Sequence, residues 1–247
     1  MINLVIDIGN TLTKIAIFDG PELVKVQQYQ QPVIDEVDLL IAGRAVNKVI
    51  LSTVKKQTEP WQALLEERFT VTRFSSSIAT AINNHYRTPQ TLGPDRLAAV
   101  IGANHLFPQQ NNIIISGGTT ITYDYVDAEA NYFGGSISPG LKMRYKALNY
   151  YTGALPLIDA DTGFESMYGN DTASAITSGV QNGIKYELTG FIENYIKTQK
   201  ECNIILSGGD SIFFDTLLKN SIFAPYIKIE PYLVLKGLNA AIQKHND

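Results

Sequence analysis

The sequence predicts an α/β protein made of two similar halves. Short apolar, β-branched segments alternate with segments of helical spacing along the 247 residues. A glycine turn between two strand patterns occurs twice, at Asp7-Ile8-Gly9-Asn10-Thr11 and at Ser116-Gly117-Gly118-Thr119-Thr120. Because each copy opens one half of the chain, the repeat indicates two related domains, 1–110 and 111–247, with a polar linker near Pro108–Asn112.

The first half opens with a hairpin. Ile2–Ile8 is apolar and β-branched, Gly9-Asn10 is a turn signal, and Leu12–Phe18 resumes the strand pattern before a second turn at Asp19-Gly20. The other elements predicted here are a strand at Val46–Leu51, a helix at Glu59–Phe69, a loop at Thr91–Pro94 and a helix at Asp95–Leu106.

The second half repeats the strand–turn–strand opening and then becomes mostly helical. A break is expected in its longest helix, because glycine is a poor helix former. The predicted elements are strands at Ile113–Ile115 and Ile121–Val126, a short strand between Gly134-Gly135 and Pro139-Gly140, a helix at Leu141–Leu148, a helix at Thr172–Tyr195 broken near Gly179–Gly183, a strand at Asn203–Leu206, and helices at Ile212–Leu218 and Val234–Lys244.

Composition excludes several classes of protein. The formal charge is −4 and the pI about 5.4, and there is no basic stripe, so we expect no nucleic-acid partner. Neither a signal-peptide pattern nor an apolar run of membrane-spanning length is present, so we expect no membrane partner. Cys202 is the only cysteine, which rules out an internal disulfide and favours the reducing cytoplasm. The three histidines do not have zinc-ligand spacing.

The segment from Asp7 to Lys14 has the composition of a phosphate-binding hairpin. Glycine lets the backbone come close to a phosphate, and successive N–H groups form an anion-binding nest. Asn10, Thr11 and Thr13 add donors, and Lys14 adds positive charge. Asp7 ends the first strand, where a carboxylate can hold Mg²⁺ through its waters. The alternative is a plain hairpin with a solvent-facing lysine.

The repeat makes the phosphate interpretation stronger, because two such hairpins on either side of a cleft would hold the phosphates between them. Gly208-Gly209 follows a third apolar strand and could let the backbone approach the adenosine, or could be an ordinary strand-to-helix turn. The segment Gly93-Pro94-Asp95-Arg96 precedes a helix. Asp95 is either a helix cap or a general base for a substrate hydroxyl, and Arg96 suits a carboxylate or a phosphate oxygen.

These motifs together resemble one known family. In order they are Asp7-x-Gly9-Asn10-Thr11 with Lys14, Tyr86-x-x-Pro89-x-x-Leu92-Gly93-x-Asp95-Arg96, Gly118-Thr119 with Thr122-x-Asp124, Gly134-Gly135-x-Ile137-x-Pro139-Gly140, and Asn170-x-Thr172. The set resembles the type III pantothenate kinases of the actin, sugar-kinase and Hsp70-like superfamily. The resemblance covers nearly the whole chain and implies two ribonuclease-H-like, actin-like domains, each a mixed five-stranded sheet flanked by helices, with an ATP cleft between them.

The resemblance also implies a reaction and its residues. ATP would phosphorylate pantothenate to 4′-phosphopantothenate, the first step of coenzyme A biosynthesis, with Asp95 as catalytic base. Mg²⁺, a monovalent cation (K⁺ or NH₄⁺) and a cytoplasmic homodimer are further expectations. The implied ATP contacts are Asp7, Ile8, Gly9, Asn10, Thr11, Leu12, Thr13, Lys14 and Thr119; the implied substrate contacts are Tyr86, Gly93, Pro94, Asp95, Arg96 and Thr172. Tyr86 could instead pack and Thr172 could instead cap a helix.

One position departs from the family pattern. The family usually has aspartate, associated with the monovalent cation, where this chain has Ser116, and a hydroxyl is a weaker cation ligand. We therefore expect a weakened or altered cation requirement, or else reduced catalytic competence. One remaining alternative is a non-catalytic accessory or regulatory relative, which Ser116 favours and which the retained Asp7, Lys14, Asp95 and Arg96 disfavour. The other is a superfamily kinase for another small hydroxylated substrate such as a sugar.

Overall fold

The computed structural model describes residues 1–55, 57–78, 80–198 and 201–244. Strands and helices alternate as the apolar pattern predicts. The strands are β1 (Ile2–Ile8), β2 (Thr13–Asp19), β3 (Glu22–Tyr29), β4 (Lys48–Thr53), β5 (Val71–Arg73), β6 (Asn83–Asn84), β7 (Asn111–Gly117), β8 (Thr120–Val126), β9 (Asn131–Pro139), β10 (Cys202–Gly208) and β11 (Ile227–Ile229). The helices are α1 (Ile34–Ile41), α2 (Pro60–Arg68), α3 (Pro94–Leu106), α4 (Leu141–Tyr151), α5 (Thr172–Thr198), α6 (Ser211–Leu218) and α7 (Leu233–Lys244).

The first sheet has the strand order β3-β2-β1-β4-β5. Strand β1 is antiparallel to β2 and parallel to β4, and its residues are buried on both faces. One face packs against α1 and α2 through Val37, Leu40 and Leu65. On the other face, the Asn3 amide donates a hydrogen bond of 2.9 Å to Asn239 of α7. The sheet therefore has helices on both sides, as its continuous apolar strands require.

The second sheet has the order β11-β10-β7-β8-β9-β6. Read in the opposite direction, its first five strands repeat the order of the first sheet. Strands β7, β8, β9, β10 and β11 take the places of β1, β2, β3, β4 and β5, respectively. The short strand β6 is a sixth member beyond the expected five, and pairs in parallel with the start of β9. This common order confirms the α/β repeat that the two glycine turns predict.

Helix α5 runs without interruption through Gly179 and Gly183, so the predicted break is wrong. Its inward side chains recur at helical spacing and all belong to the core beneath the second sheet: Ile176, Val180, Ile184, Leu188 and Ile192. A glycine inside a helix costs about 1 kcal/mol relative to alanine, whereas burying one such side chain contributes roughly 1.5–3 kcal/mol. Tertiary packing therefore outweighs the local glycine preference.

Other boundaries shift by a few residues. Helix α3 begins at Pro94 rather than Asp95, because proline suits the first helical position, where no N–H bond is lost. Helix α4 continues to Tyr151. Asn111 and Asn112, expected in a linker, belong to β7. The sequence does not predict the elements that are short or that mix polar with apolar residues, namely β3, α1, β5, β6 and β11.

The chain forms two compact units. The first unit comprises residues 1–109, 126–134 and 232–247, and the second unit comprises residues 110–125 and 135–231. The C-terminal helix α7 groups with the first unit rather than with residues 111–231, because it packs on α3 and β1. Gly237 of α7 makes this packing close: a Cβ there would collide with the backbone carbonyl of Ala98. Among the described residues, no helix combines the length and the apolar character needed to cross a membrane.

Candidate active site

The first hairpin joins β1 to β2 through a tight turn. The Gly9 N–H donates to the Leu12 carbonyl at 3.1 Å, and a Cβ on Gly9 would lie 3.1 Å from that same oxygen. Asn10 and Thr11 are exposed at the tip. The strand register sets Asp7 opposite Lys14 and Ile8 opposite Thr13. Since side chains alternate along strands, Asp7 and Lys14 share one face of the sheet.

Ile8 and Thr13 lie on the other face. Both are fully buried, and Ile8 is part of the core beneath α1 and α2. Their side chains therefore contribute to packing, and a nucleotide contact from them would have to come from the backbone. The buried Thr13 hydroxyl has no hydrogen-bond partner among the described residues.

Asp7 is a buried carboxylate in an unfavourable setting. Its side chain is only 8% exposed, and its Oδ1 finds no hydrogen-bond partner in the described parts of the chain. Burial raises the pKa of Asp7 to about 6, an effect that the positive charge of Lys14 reduces and the negative charge of Asp95 increases. A carboxylate kept in such a position is typical of a functional group rather than of a stabilising one.

Asp95 and Asp7 are far apart in sequence but close in the fold, since the charge of Asp95 raises the pKa of Asp7. Asp95 lies in the first turn of α3, and α3 packs on the same side of the first sheet as α7. Its Oδ1 accepts the Arg96 N–H at 2.9 Å. A Cβ on Gly93 would lie 2.6 Å from Asp95 Oδ1, so glycine at 93 leaves room for the carboxylate.

Arg96 and Tyr86 form the adjoining part of the site. Arg96 is 5% exposed, and its guanidinium carbon lies 5.7 Å from the centre of the Tyr86 ring. The same ring stacks at 6.4 Å on Tyr132 and covers Gly134, where a Cβ would lie about 3.0 Å from it. Gly134 has φ +124°, which only glycine adopts easily. Tyr86 therefore both packs and presents a surface beside Arg96.

The second hairpin, from Ser116 to Thr120, lies in the second unit. Gly118 N–H donates to the Thr120 carbonyl at 3.0 Å, and Gly140 N–H donates to the Thr119 carbonyl at 3.1 Å. Thr119 itself is exposed. A Cβ on Gly140 would collide with the carbonyl of Gly118, so the start of α4 lies directly against this turn.

The β10–α6 turn also packs on the second hairpin. Gly208 has φ +80°, and a Cβ there would collide with the Gly117 carbonyl. The Asp210 N–H donates to that carbonyl at 3.3 Å. Burial raises the pKa of Asp210, while the charge of Lys142 lowers it. The turn after β10 thus contacts the backbone of the second hairpin closely and also begins helix α6.

Thr172 is the first residue of α5 and is exposed. Asp171, not Thr172, caps this helix, because its Oδ1 accepts the Ser174 N–H at 3.0 Å. This hydrogen bonding lowers the pKa of Asp171. The capping explanation for Thr172 is therefore wrong, and its side chain is open to solvent.

Sequence reasoning missed a cleft of about 750 Å³ at the tip of the first hairpin. Lys55 lies on its wall and pairs with Glu59 at 2.7 Å. The lining residues are Asn10, Thr11, Gln28, Tyr29, Gln30, Gln31, Glu36 and Lys55. Lys55 follows β4, the parallel neighbour of β1, and residues after adjacent parallel strands meet at one sheet edge. The apolar strand predicted at Val46–Leu51 was therefore the sequence signal that could have indicated Lys55, which follows this strand, as part of the site.

The repeated strand order and the glycine hairpins define the class of the protein. It has the actin-like fold of sugar kinases and related ATPases. A solved activator of 2-hydroxyisocaproyl-CoA dehydratase from Clostridium difficile, with bound ADPNP, matches with a TM-score of 0.59 at 12% identity. That match covers 98% of this chain and 95% of the other.

The chain belongs to the type III pantothenate kinase family, whose family model matches residues 3–197. It is 42% identical to a type III pantothenate kinase from Phocaeicola vulgatus over 246 residues, 99% of each chain. A type III pantothenate kinase from Bacteroides fragilis is also 42% identical, over 99% of this chain and 98% of the other.

Proposed function

We propose that this protein transfers the γ-phosphate of ATP to the primary hydroxyl of pantothenate, giving 4′-phosphopantothenate for coenzyme A biosynthesis. Family membership gives the reaction, and one structural observation supports it for this chain. The first unit gathers Asp7, Lys14 and Asp95 beside Arg96 and Tyr86. Phosphoryl transfer relies on positioning and charge neutralisation, and these residues offer both.

The first hairpin is proposed to hold the ATP phosphates. Its glycine turn leaves Asn10 and Thr11 exposed at the tip, and Lys14 lies on the face that Asp7 shares. Ile8, Leu12 and Thr13 would contribute through the backbone or by shaping the turn. Thr119, exposed on the second hairpin, is proposed as a further ATP contact.

Asp7 is the residue that fits a magnesium ion. Its Oδ1 is buried and lacks a hydrogen-bond partner among the described residues, and an oxygen ligand of this kind suits Mg²⁺, which keeps several of its waters. Bound there, the ion would neutralise charge on the β- and γ-phosphates. A nearby cation would also remove the penalty that burial imposes on the Asp7 carboxylate.

Asp95 is proposed as the general base. The hydrogen bond from Arg96 N–H fixes one carboxylate oxygen, and the other would accept the proton of the pantothenate hydroxyl. Asp95 also adds to the negative potential that raises the pKa of Asp7. The two carboxylates would thus have separate roles. Asp7 would hold the magnesium ion at the phosphates, and Asp95 would accept the proton of the acceptor hydroxyl.

The substrate contacts proposed in the first unit surround Asp95. Arg96 is buried, positively charged and held against an aromatic ring, which suits the carboxylate of pantothenate. Gly93 precedes α3 and Pro94 is its first residue, and Tyr86 would pack against the aliphatic part of the substrate. Thr172 is proposed as a contact from the second unit, where its hydroxyl is exposed.

The monovalent cation that the family resemblance implies does not fit position 116. Ser116 offers a neutral hydroxyl, and its register partner Ser207 offers another. Neither supplies the negative charge that a carboxylate would contribute. No step of the proposed reaction therefore depends on K⁺ or NH₄⁺ at this position.

The protein is further proposed to be a cytoplasmic homodimer. Large apolar side chains are exposed through one stretch of the second unit, which supports burial against a second copy. They are Ile137, Met143, Tyr150, Tyr151, Leu157, Met167, Tyr168 and Tyr186. The use of ATP and the presence of a single, buried cysteine, Cys202, support a cytoplasmic location.

The variant Asp95→Asn tests the mechanism. It should bind ATP normally but lose roughly 10²–10⁴-fold in turnover, because it removes only proton abstraction. Asp35→Asn, at an exposed position of α1, is the matched control and should retain full turnover. Near-normal turnover of Asp95→Asn, with ATP affinity unchanged by calorimetry, would contradict the assigned role.

A further inference from the structure

The repeat creates two equivalent pairs of polar residues. In the first sheet, Asp7 of β1 is in register with Ser52 of β4. In the second, Ser116 of β7 is in register with Ser207 of β10. Because β7 and β10 occupy the places of β1 and β4, the two pairs correspond. Partners in parallel register project from the same face, so each pair forms one local site.

All four side chains in these pairs contain a buried oxygen atom that lacks a hydrogen-bond partner among the described residues. Ser207 is only 1% exposed, and the Ser116 hydroxyl oxygen is likewise buried. Leaving a buried hydroxyl unsatisfied costs roughly 1–3 kcal/mol. Two adjacent orphan hydroxyls beside a glycine turn therefore point to a ligand that both of them bind.

The chemistry of the second pair differs from that of the first. A carboxylate with a hydroxyl carries negative charge and suits a cation, whereas two hydroxyls carry none and can both donate hydrogen bonds. Asp210 donates its backbone N–H to the Gly117 carbonyl, and its carboxylate is close enough to Lys142 for that positive charge to lower its pKa. Asp124 of β8 is fully buried and already takes part in an interaction within the protein. The second pair is therefore suited to an anion.

We infer that Ser116 and Ser207 together donate hydrogen bonds to a phosphate oxygen of ATP, doing directly what a carboxylate-bound monovalent cation would do at this position. This rests on the proposed function, because it assumes that the second hairpin contacts ATP. Hydrogen bonds from hydroxyls to an anionic oxygen are short and about twice as strong as neutral ones. Nucleotide binding should therefore need no K⁺ or NH₄⁺.

The test measures affinity for a non-hydrolysable ATP analogue with Mg²⁺, by calorimetry, in sodium-free buffer with and without K⁺ at equal ionic strength. For the unaltered protein, K⁺ should change the dissociation constant by less than about twofold. Ser207→Ala and Ser116→Ala should each weaken binding roughly tenfold, the loss of one hydrogen bond to a charged group. Ser76→Ala, an exposed serine in a turn of the first unit, should have no effect.

Ser116→Asp supplies the opposite case. It recreates in the second sheet the carboxylate–hydroxyl pair of the first, and we expect weak ATP binding without K⁺ and at least a tenfold gain with K⁺. Thermal unfolding of each variant checks that it is folded. Strong, saturable tightening of ATP binding by K⁺ in the unaltered protein, or normal affinity in folded Ser207→Ala, would overturn the inference. Absence of pantothenate phosphorylation would refute the proposed function instead, since analogue binding does not depend on it.

Discussion

Replacing Asp7 with asparagine should stabilise the protein while abolishing its activity. Asp7 is 8% exposed, and Oδ1 has no hydrogen-bond partner among the described residues. The substitution keeps the shape of the side chain and removes its charge. Stability should rise because the buried charge is unfavourable, and turnover should be lost because the proposed magnesium ligand is gone.

The magnitude follows from the raised pKa. Burial, opposed by Lys14 and assisted by Asp95, moves the pKa of Asp7 from 3.8 to about 6. The unfolded chain therefore releases this proton at lower pH than the native protein, so the free energy of unfolding falls as pH rises from about 4 through 6 and then levels off. Two pKa units correspond to about 3 kcal/mol, the most that Asp7→Asn can regain at pH 7.5.

Urea unfolding without ATP or Mg²⁺ is the appropriate assay. Asp7→Asn should exceed the unaltered protein by about 2–3 kcal/mol at pH 7.5, and by only about 1 kcal/mol at pH 4.5. Asp19→Asn, on the neighbouring strand, has a 60% exposed side chain that pairs with the N-terminal amine, and should stay within about 0.5 kcal/mol at both pH values.

Two results would refute this reasoning. One is an Asp7→Asn protein that is less stable than its parent at pH 7.5. The other is a stability difference that is the same at both pH values, because a buried carboxylate of raised pKa must make the difference grow with pH.

The remaining predictions concern packing and substrate binding. Gly237→Ala should destabilise the protein by about 2–4 kcal/mol in urea unfolding, because the added Cβ collides with the Ala98 carbonyl. Gly190→Ala, with open space around it in α5, should be neutral or stabilising by up to about 1 kcal/mol. Equal effects of the two substitutions would contradict the close α3–α7 contact. Arg96→Lys keeps the charge but loses the planar guanidinium held over Tyr86, so the KM for pantothenate should rise roughly tenfold with little change in kcat or in the KM for ATP. An unchanged KM for pantothenate would remove Arg96 from the substrate site.

The fold was predictable where the apolar pattern is strong. Ile2–Ile8 and Ile113–Ile115 are β-branched runs bounded by glycine turns, and their repetition indicates the two-part α/β architecture that the strand order confirms. The prediction of a break in α5 is wrong, since local glycine preference says nothing about the row of buried side chains beneath the second sheet.

The candidate site was predictable as residue types but not as an arrangement. Asp7, Lys14, Asp95 and Arg96 stand out by chemistry and by position at turns and helix starts. That Asp95 perturbs Asp7, or that Tyr86 rests on Gly134, depends on tertiary contacts between distant segments, which spacing along the chain does not encode. The Ser116–Ser207 pair likewise needs the register of β7 and β10.

Incubating the purified protein with ATP, Mg²⁺ and pantothenate, alongside a panel of sugars, tests the central claim most directly. Phosphorylated product is identified by mass spectrometry, and ADP release is followed in parallel. We predict 4′-phosphopantothenate and stoichiometric ADP from pantothenate, with no phosphorylated sugar. Absence of phosphorylated pantothenate, both with and without added K⁺ or NH₄⁺, would contradict the claim.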